Sequence, residues 1–286
     1  MSIRIRKAAV ATALATALAA GAASAQIEVS VPSSDLSRGP ALMLKSFWFE
    51  APVAGPAPAV VLLHGCGGDY EASGKLSRRM REYTALLNRL GLHVLIVDSL
   101  TPRGEKQICT QKTGVRLITQ AHRRLDALSA LAWLKARPEV DATRLGLIGW
   151  SNGGSTVLAA TNERHKDALG GEEVRPAFAV AFYPGCAAEL RRGYETQTRV
   201  LMLLGDADDW TPSAPCKRLA AQSAGRRIEL ESYAGAYHEF DSPTPVRLRT
   251  DVPNGINPGK GVHVGGNPQA MLRSRERLLA FLREVT

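Results

Sequence analysis

The sequence predicts an α/β fold built on a mostly parallel central sheet with helices on both faces. Two observations predict it. Strand-like apolar runs alternate along the chain with segments of helical spacing, which requires crossover connections. Several of those runs are apolar at every position rather than at every second one, the pattern of strands buried on both faces. The composition agrees, with 45% hydrophobic and 22% charged residues among 286, an ordinary globular balance.

In chain order, "ALMLKSFWFEA" (41–51) reads as an early strand and "APAVVLLHG" (57–65) as a fully buried one. From Leu76 to Leu90, residues Met80, Tyr83, Leu86, Leu87 and Leu90 fall on one helical face, and Gly91 is a stop signal. "LHVLIVDS" (92–99) is the next strand. Arg116 to Arg137 is the clearest helix, with Leu117, Ala121, Leu125, Leu128, Leu131 and Leu134 every three to four residues before Pro138 ends it. "RLGLIGW" (144–150), a helix over 152–162, "AFAVAFYPG" (177–185) and "RVLMLLG" (199–205) come next. A helix capped by Thr211 with Pro212 at its first position, the strand "RRIELESYAG" (226–235) and a closing helix from Ala270 to Val285 complete the series. Residues 241–268 are rich in Pro and Gly without periodicity and read as a long functional or mobile loop.

The first residues stand apart. "MSIRIRK" is basic, residues 8–20 are Ala-, Val- and Leu-rich, and "AASA" precedes Gln26. A basic head, a short apolar run and a small-x-small end predict a signal peptide over 1–25, leaving one domain over 26–286, exported to the periplasm or beyond. The apolar run is too short and Ala-rich to span a bilayer, so no stable membrane insertion is expected after cleavage. Loss of Arg4, Arg6 and Lys7 lowers the formal charge from +9 to +6. The remaining basic residues lie in short pairs mixed with acids, without interleaved aromatics, which argues against nucleic acid as a partner. Cys66, Cys109, Cys186 and Cys216 form no C-x-x-C pair, which argues against zinc; an even count in an exported protein predicts two disulfides, with three pairings open.

Chemistry is signalled by "IGWSNGG" (148–154). Ser151 directly follows a strand, and glycines at 149 and 153 suit a tight turn where a Cβ would press on the neighbouring strand or helix. That turn would stand the Ser151 hydroxyl above the sheet and put the Asn152 N–H at a helix start, aimed at an oxyanion. Two segments nearer the C-terminus add weight to the motif. "LMLLGDADDWTP" places acids just after a later strand, and "YAGAYHEF" places His238 after the last one, the nucleophile–acid–base order such a turn requires. Asp206, Asp208 and Asp209 compete for the acid. Asp206 falls on the last step of the strand and Asp209 on the turn before the helix, which favours Asp208 in mid-loop. The second oxyanion donor is expected from "HGCGGDY", at the N–H of Cys66.

His93 is placed in a strand, His122 and His165 in helices, and His64 in loop ordering, while His263 is the alternative base. Trp150, Trp210 and Tyr237 flank the triad in sequence and are candidates for an apolar substrate wall. Arg103, in "TPRGEK", is a candidate for meeting an anionic group. About fifteen residues separate the strand ending at Gly185 from that starting at Arg199, too few for a helical cap domain, so the cleft is expected to be open.

Together, "VVLLHGCGG", "RRLDALSALAWLKARPEVDATRLGLIGWSNGG", "GDADDWTP" and "AYHEFD" resemble the dienelactone hydrolase family of the α/β-hydrolase fold, over nearly the whole chain after the signal. The resemblance implies a triad hydrolase acting on esters or lactones of small molecules, with no metal or cofactor. In the name-giving enzymes the nucleophile is cysteine, whereas Ser151 stands here, which favours a general serine esterase. Strand neighbours in that fold imply the pairings Cys66–Cys109 and Cys186–Cys216. The alternatives are a peptidase or a polyester or polysaccharide-ester hydrolase of the same fold, or a non-catalytic binding protein on a hydrolase scaffold.

Overall fold

The computed structural model describes residues 25–37, 39–165, 174–223 and 227–286. The predicted signal peptide lies outside the described residues, apart from Ala25. Eight strands form one sheet: β1 (Ile27–Pro32), β2 (Met43–Phe49), β3 (Ala57–Leu63), β4 (His93–Val97), β5 (Val140–Trp150), β6 (Phe178–Phe182), β7 (Arg199–Gly205) and β8 (Ile228–Tyr233). Their order is β1-β2-β4-β3-β5-β6-β7-β8. The pairs β1–β2 and β2–β4 are antiparallel and every pair from β4 to β8 is parallel, which is the α/β-hydrolase arrangement.

The continuous apolar runs have the burial they predict. Every residue of β3, β4 and β6 is buried. Because side chains alternate, Ala59, Val61 and Leu63 of β3 join one core while Val60 and Leu62 join the other. The first core is covered by α2 (Gln120–Lys135), α3 (Asn152–Thr161), α4 (Ala187–Arg192) and α5 (Ser213–Gln222). The second is covered by α1 (Arg78–Arg89) and α6 (Pro268–Val285), through Met80, Leu87, Leu278 and Phe281.

Several elements depart from the sequence expectation. Strand β1 carries little signal of its own, because its polar–apolar alternation is short and its outer residues are exposed at the sheet edge. Helix α2 begins at Gln120 rather than Arg116: the Thr119 N–H donates to His122 Nδ1 at 3.0 Å and closes the helix there, while Ile118 is buried in a separate cluster with Cys66 and Cys109. Helix α5 starts one residue later than expected, with Pro212 at its cap, because the Thr211 hydroxyl is engaged elsewhere. His165 lies beyond the end of α3, in a loop, where its ring meets Glu189 at 3.1 Å. The 241–268 segment holds a two-stranded hairpin, β9 (Arg247–Arg249) with β10 (Val262–Val264).

The disulfides are Cys66–Cys109 and Cys186–Cys216, the pairings that the family resemblance implies. The first ties the loop after β3 to the segment that follows β4; the second ties the start of α4 to α5. Each closes a loop of 43 or 30 residues. Replacing Cys186 and Cys216 together by Ser is expected to cost about 3–4 kcal/mol by the loop-entropy account. Thermal denaturation should show a fall of roughly 10 °C for a chain of this size; an unchanged midpoint would mean that the bridge constrains little.

Candidate active site

The strand order reverses between β3 and β5, since the chain runs from β3 to β4 on one side and returns to β5 on the other. The crevice at the carboxyl ends of these two strands is where ligands of open α/β sheets bind, and Ser151 and Cys66 stand there. Ser151 has φ 55° and ψ −115°, a left-handed backbone that costs a non-glycine residue energy. Its neighbours permit the turn. A Cβ on Gly149 would lie 2.3 Å from the Gly153 carbonyl oxygen, and one on Gly153 would lie 2.0 Å from the Leu63 carbonyl oxygen. The Ser151 turn, helix α3 and strand β3 thus approach closer than any side chain allows.

His238 Nε2 is 2.8 Å from Ser151 Oγ, and His238 Nδ1 is 2.7 Å from Asp208 Oδ2. His238 and Asp208 are 1% and 3% exposed, so this chain of hydrogen bonds is shielded from water along most of its length. The other Asp208 oxygen accepts the N–H groups of Trp210 and Thr211, both at 2.8 Å. Thr211 Oγ1 lies 2.9 Å from Asp208 Oδ2, 3.0 Å from His238 Nδ1 and 3.0 Å from the Tyr183 carbonyl oxygen. The imidazole packs against the rings of Tyr183 and Trp210, at centroid distances of 4.7 and 4.8 Å.

The competing acids are committed elsewhere. Asp206 pairs with Lys217 at 2.7 Å. Asp209 takes the side chain and backbone N–H of His263 at 2.7 and 2.8 Å, so His263 meets Asp209 rather than Ser151. The turn before α5 is served by Asp208 and not, as expected, by Asp209.

Three candidate substrate contacts are corrected. Trp150 is fully buried, stacked on Phe182, with its indole N–H donated to Asp241. The Arg103 guanidinium is buried between Asp35 and Asp126, at 3.0 and 2.8 Å, and has no face left for a ligand. Tyr237 packs on the His263 ring at 4.8 Å and is not among the residues lining the cleft. Trp210 does line it. The cleft over Ser151 holds about 310 Å³ and is bounded by Cys66, Arg116, Gln120, Asn152, Trp210 and Asn254. Asn254 fixes the rim: it accepts the Thr113 N–H and donates to the Gln111 carbonyl, both at 2.9 Å.

Two buried polar groups carry no sequence signal strong enough to be assigned in advance. Asp241, three residues beyond His238, accepts Arg79, Tyr83 Oη, Trp150 Nε1 and Tyr183 Oη. Burial holds both tyrosine hydroxyls well above their ordinary pKa, so they remain donors. Beneath the Cys66 loop, His64, Asp69 and Asp98 bring one ligand-type atom each within 4.8 Å, the candidate metal-holding group among the described residues. Burial, then the nearby Arg123 charge, drives His64 down to about 3 and keeps it neutral, and burial raises Asp69 well above the carboxylate range. Asp98 is already occupied by the N–H groups of Leu100 and Thr101 and by the Thr101 hydroxyl. With a guanidinium beside it, this group reads as a polar network under the loop rather than a cation site.

Asp241→Ala would leave three donors and the Arg79 guanidinium without an acceptor in the core. A loss of about 3–5 kcal/mol is expected in urea unfolding, with a smaller loss for Asp241→Asn, which retains one acceptor oxygen. Equal stability of Asp241→Ala and the parent would refute the hub.

The matched proteins agree with this architecture. A dienelactone hydrolase-like promiscuous phosphotriesterase from metagenomic libraries is 21% identical, covering 92% of this chain and 99% of that one at a TM-score of 0.66. Thermogutta terrifontis esterase 2, phosphorylated by paraoxon, is 16% identical, with coverages of 91% and 94% and a TM-score of 0.64. At these identities the likeness is one of fold. Among curated proteins, acylamino-acid-releasing enzyme 2 of Oryza sativa subsp. japonica is 26% identical over 224 residues, 78% of this chain, and the chain spans about a quarter (24%) of that protein's length. The family model described as "Dienelactone hydrolase family" matches residues 45–286, and the chain belongs to that family.

Proposed function

We propose that this family member is a serine hydrolase that cleaves carboxylic esters or lactones of small molecules through an acyl-enzyme. The observation that carries the reading is the unbroken hydrogen-bonded series from Asp208 through His238 to Ser151, at 2.7 and 2.8 Å. With its Nδ1–H donated to Asp208, the imidazole presents the Nε2 lone pair to the serine hydroxyl. Ser151 Oγ attacks the carbonyl carbon as Nε2 takes its proton, and the carbonyl π electrons move to oxygen. The N–H groups of Cys66 and Asn152 receive that oxyanion, each donor worth about 3–4 kcal/mol in a serine hydrolase. Collapse breaks the bond to the alkoxy oxygen, which leaves with the His238 proton. Water then repeats the sequence on the acyl-enzyme, with His238 first as base and then as acid, to release the carboxylic acid.

The cleft suggests the substrate. Arg116 is the charged side chain among its lining residues. Its Nε donates to the Gln111 carbonyl at 3.1 Å, and among the described residues no carboxylate pairs with it. Burial lowers its pKa. A cation facing a cleft and short of a counter-charge favours an ester whose acyl or alcohol part carries a carboxylate, the role that sequence position alone suggests for Arg103. Two disulfides suit an oxidising compartment, and with the N-terminal signal pattern they support export of a catalytic unit spanning 26–286. No helix of the described residues is long and apolar enough to cross a membrane.

A fluorophosphonate is expected to label Ser151, identified by peptide mass, and Ser151→Ala is expected to lose both the label and more than about 10⁴-fold of p-nitrophenyl acetate turnover. Label elsewhere, or turnover surviving the substitution, defeats the assignment. Cleavage of an aminoacyl anilide as fast as the ester would favour the peptidase reading. Arg116→Gln is expected to reduce kcat/KM for a half-ester of succinate about tenfold, equivalent to ~1.4 kcal/mol, while leaving the acetyl ester within twofold. A parallel change in both would remove Arg116 from substrate recognition.

A further inference from the structure

Helix α2 carries an arginine with no solvent exposure at all. Arg123 is fully buried, on the side of α2 that faces the Ser151 turn and the loop after β3. Its Nη2 donates to the His64 carbonyl oxygen at 2.8 Å, and its Nη1 donates to the Asn152 side-chain oxygen. Those two acceptors belong to the two segments that supply the oxyanion donors. His64 is two residues before Cys66, and Asn152 carries the second N–H itself.

We propose that Arg123 is a positioning residue that sets the spacing of the two oxyanion donors by bridging the loop that bears Cys66 and the turn that bears Asn152. The inference rests on the serine-hydrolase reading proposed for this site. Two backbone donors from different segments stabilise one oxygen only when both lie 2.7–3.1 Å from it. Strand pairing ends before both donors, so their spacing depends on the close backbone packing around Gly153 and on the side chains that bridge the two segments. A planar guanidinium with two divergent N–H groups can fix it, because it holds both acceptors from one rigid plane.

Neighbouring contacts brace the same two segments. Gln120, one turn earlier on α2, donates to the Asn152 carbonyl at 3.1 Å and is itself held by Thr156 Oγ1 at 2.8 Å. The Cys66 side of the pair is fastened from above by the disulfide to Cys109 and by the Ile108 N–H donated to the Cys66 carbonyl at 2.8 Å. Arg123 therefore closes a frame in which each donor is held on two sides. Taking a guanidinium wholly out of water is costly. Burial lowers it to about 10, still cationic, with Asp126, Asp69 and Asp98 opposing the loss of charge and His64 kept neutral beside it. A methionine or leucine would fill the same volume at lower cost, so packing alone does not account for an arginine here.

The test separates positioning from folding by counting active sites. Arg123→Lys, Arg123→Met and Asn152→Ala are compared with the parent on a neutral p-nitrophenyl ester, with kcat expressed per serine titrated to completion by a fluorophosphonate. The inhibition constant of phenylboronic acid, whose Ser151 adduct carries an oxygen where the oxyanion would be, is measured alongside. Misplacement of one donor predicts kcat per titrated site down about 10–100-fold, KM within about twofold, and a boronate constant that rises in step with the loss of kcat. Lysine is expected not to rescue, since an ammonium cannot hold both acceptors in one plane. If the variants lose only titratable sites or melting temperature while kcat per site is unchanged, Arg123 is structural and the proposal fails. Should the Arg123 variants not fold, a normal kcat per site in Asn152→Ala overturns it equally. A parent whose Ser151 takes no label would instead defeat the serine-hydrolase reading, on which this inference depends.

Discussion

The carboxylate of Asp241 gathers four donors from three places in the chain. Arg79 and Tyr83 come from α1, Trp150 from the residue before Ser151, and Tyr183 from the residue after β6. Asp241 itself lies three residues beyond His238, in the same turn. One buried anion therefore fixes the segment bearing the histidine against the strand end bearing the serine, and helix α1 against both. Without that convergence, the 2.8 Å contact between His238 and Ser151 would depend on two independent loops arriving together. Tyr183 extends the effect: its hydroxyl serves Asp241, its ring lies on the imidazole, and its carbonyl accepts the Thr211 hydroxyl beside Asp208.

The three acids of "GDADD" show how position sorts identical side chains. Asp206, at the strand exit, reaches outward to Lys217. Asp208, two residues on, is buried and faces His238. Asp209 turns to the hairpin and binds His263. Each step along the loop changes the direction of the side chain and therefore its partner. Asp208 also organises its own loop by accepting two backbone N–H groups, which leaves its second oxygen oriented for the imidazole.

Those features are unequally legible in the sequence. Strands β3, β4, β6 and β7 are readable because burial on both faces imposes an unbroken apolar run, and the glycines around Ser151 are readable because a steric limit leaves one residue type. The Ser151, Asp208 and His238 positions follow from order along a parallel sheet. What stays hidden depends on side-chain direction across the fold. Trp150 looks like a cleft residue because it adjoins Ser151, yet alternation along β5 turns it into the core. Arg103 looks free because its carboxylate partners, Asp35 and Asp126, are remote in sequence. Arg116 reads as part of a helix, and only the cap at Thr119 leaves it beside the cleft. The β9–β10 hairpin is masked by proline and glycine, since three-residue strands carry almost no periodic signal.

The hairpin has a mechanical meaning. Gly265 donates its N–H to the His238 carbonyl at 2.8 Å, Asn254 is bonded to the opposite wall of the cleft, and Asp209 grips His263. The rim of the cleft and the backbone of His238 are therefore tied through the same hairpin. A displacement of that hairpin would be passed on to the imidazole, so on the proposed mechanism whatever presses on the mouth presses on the base as well.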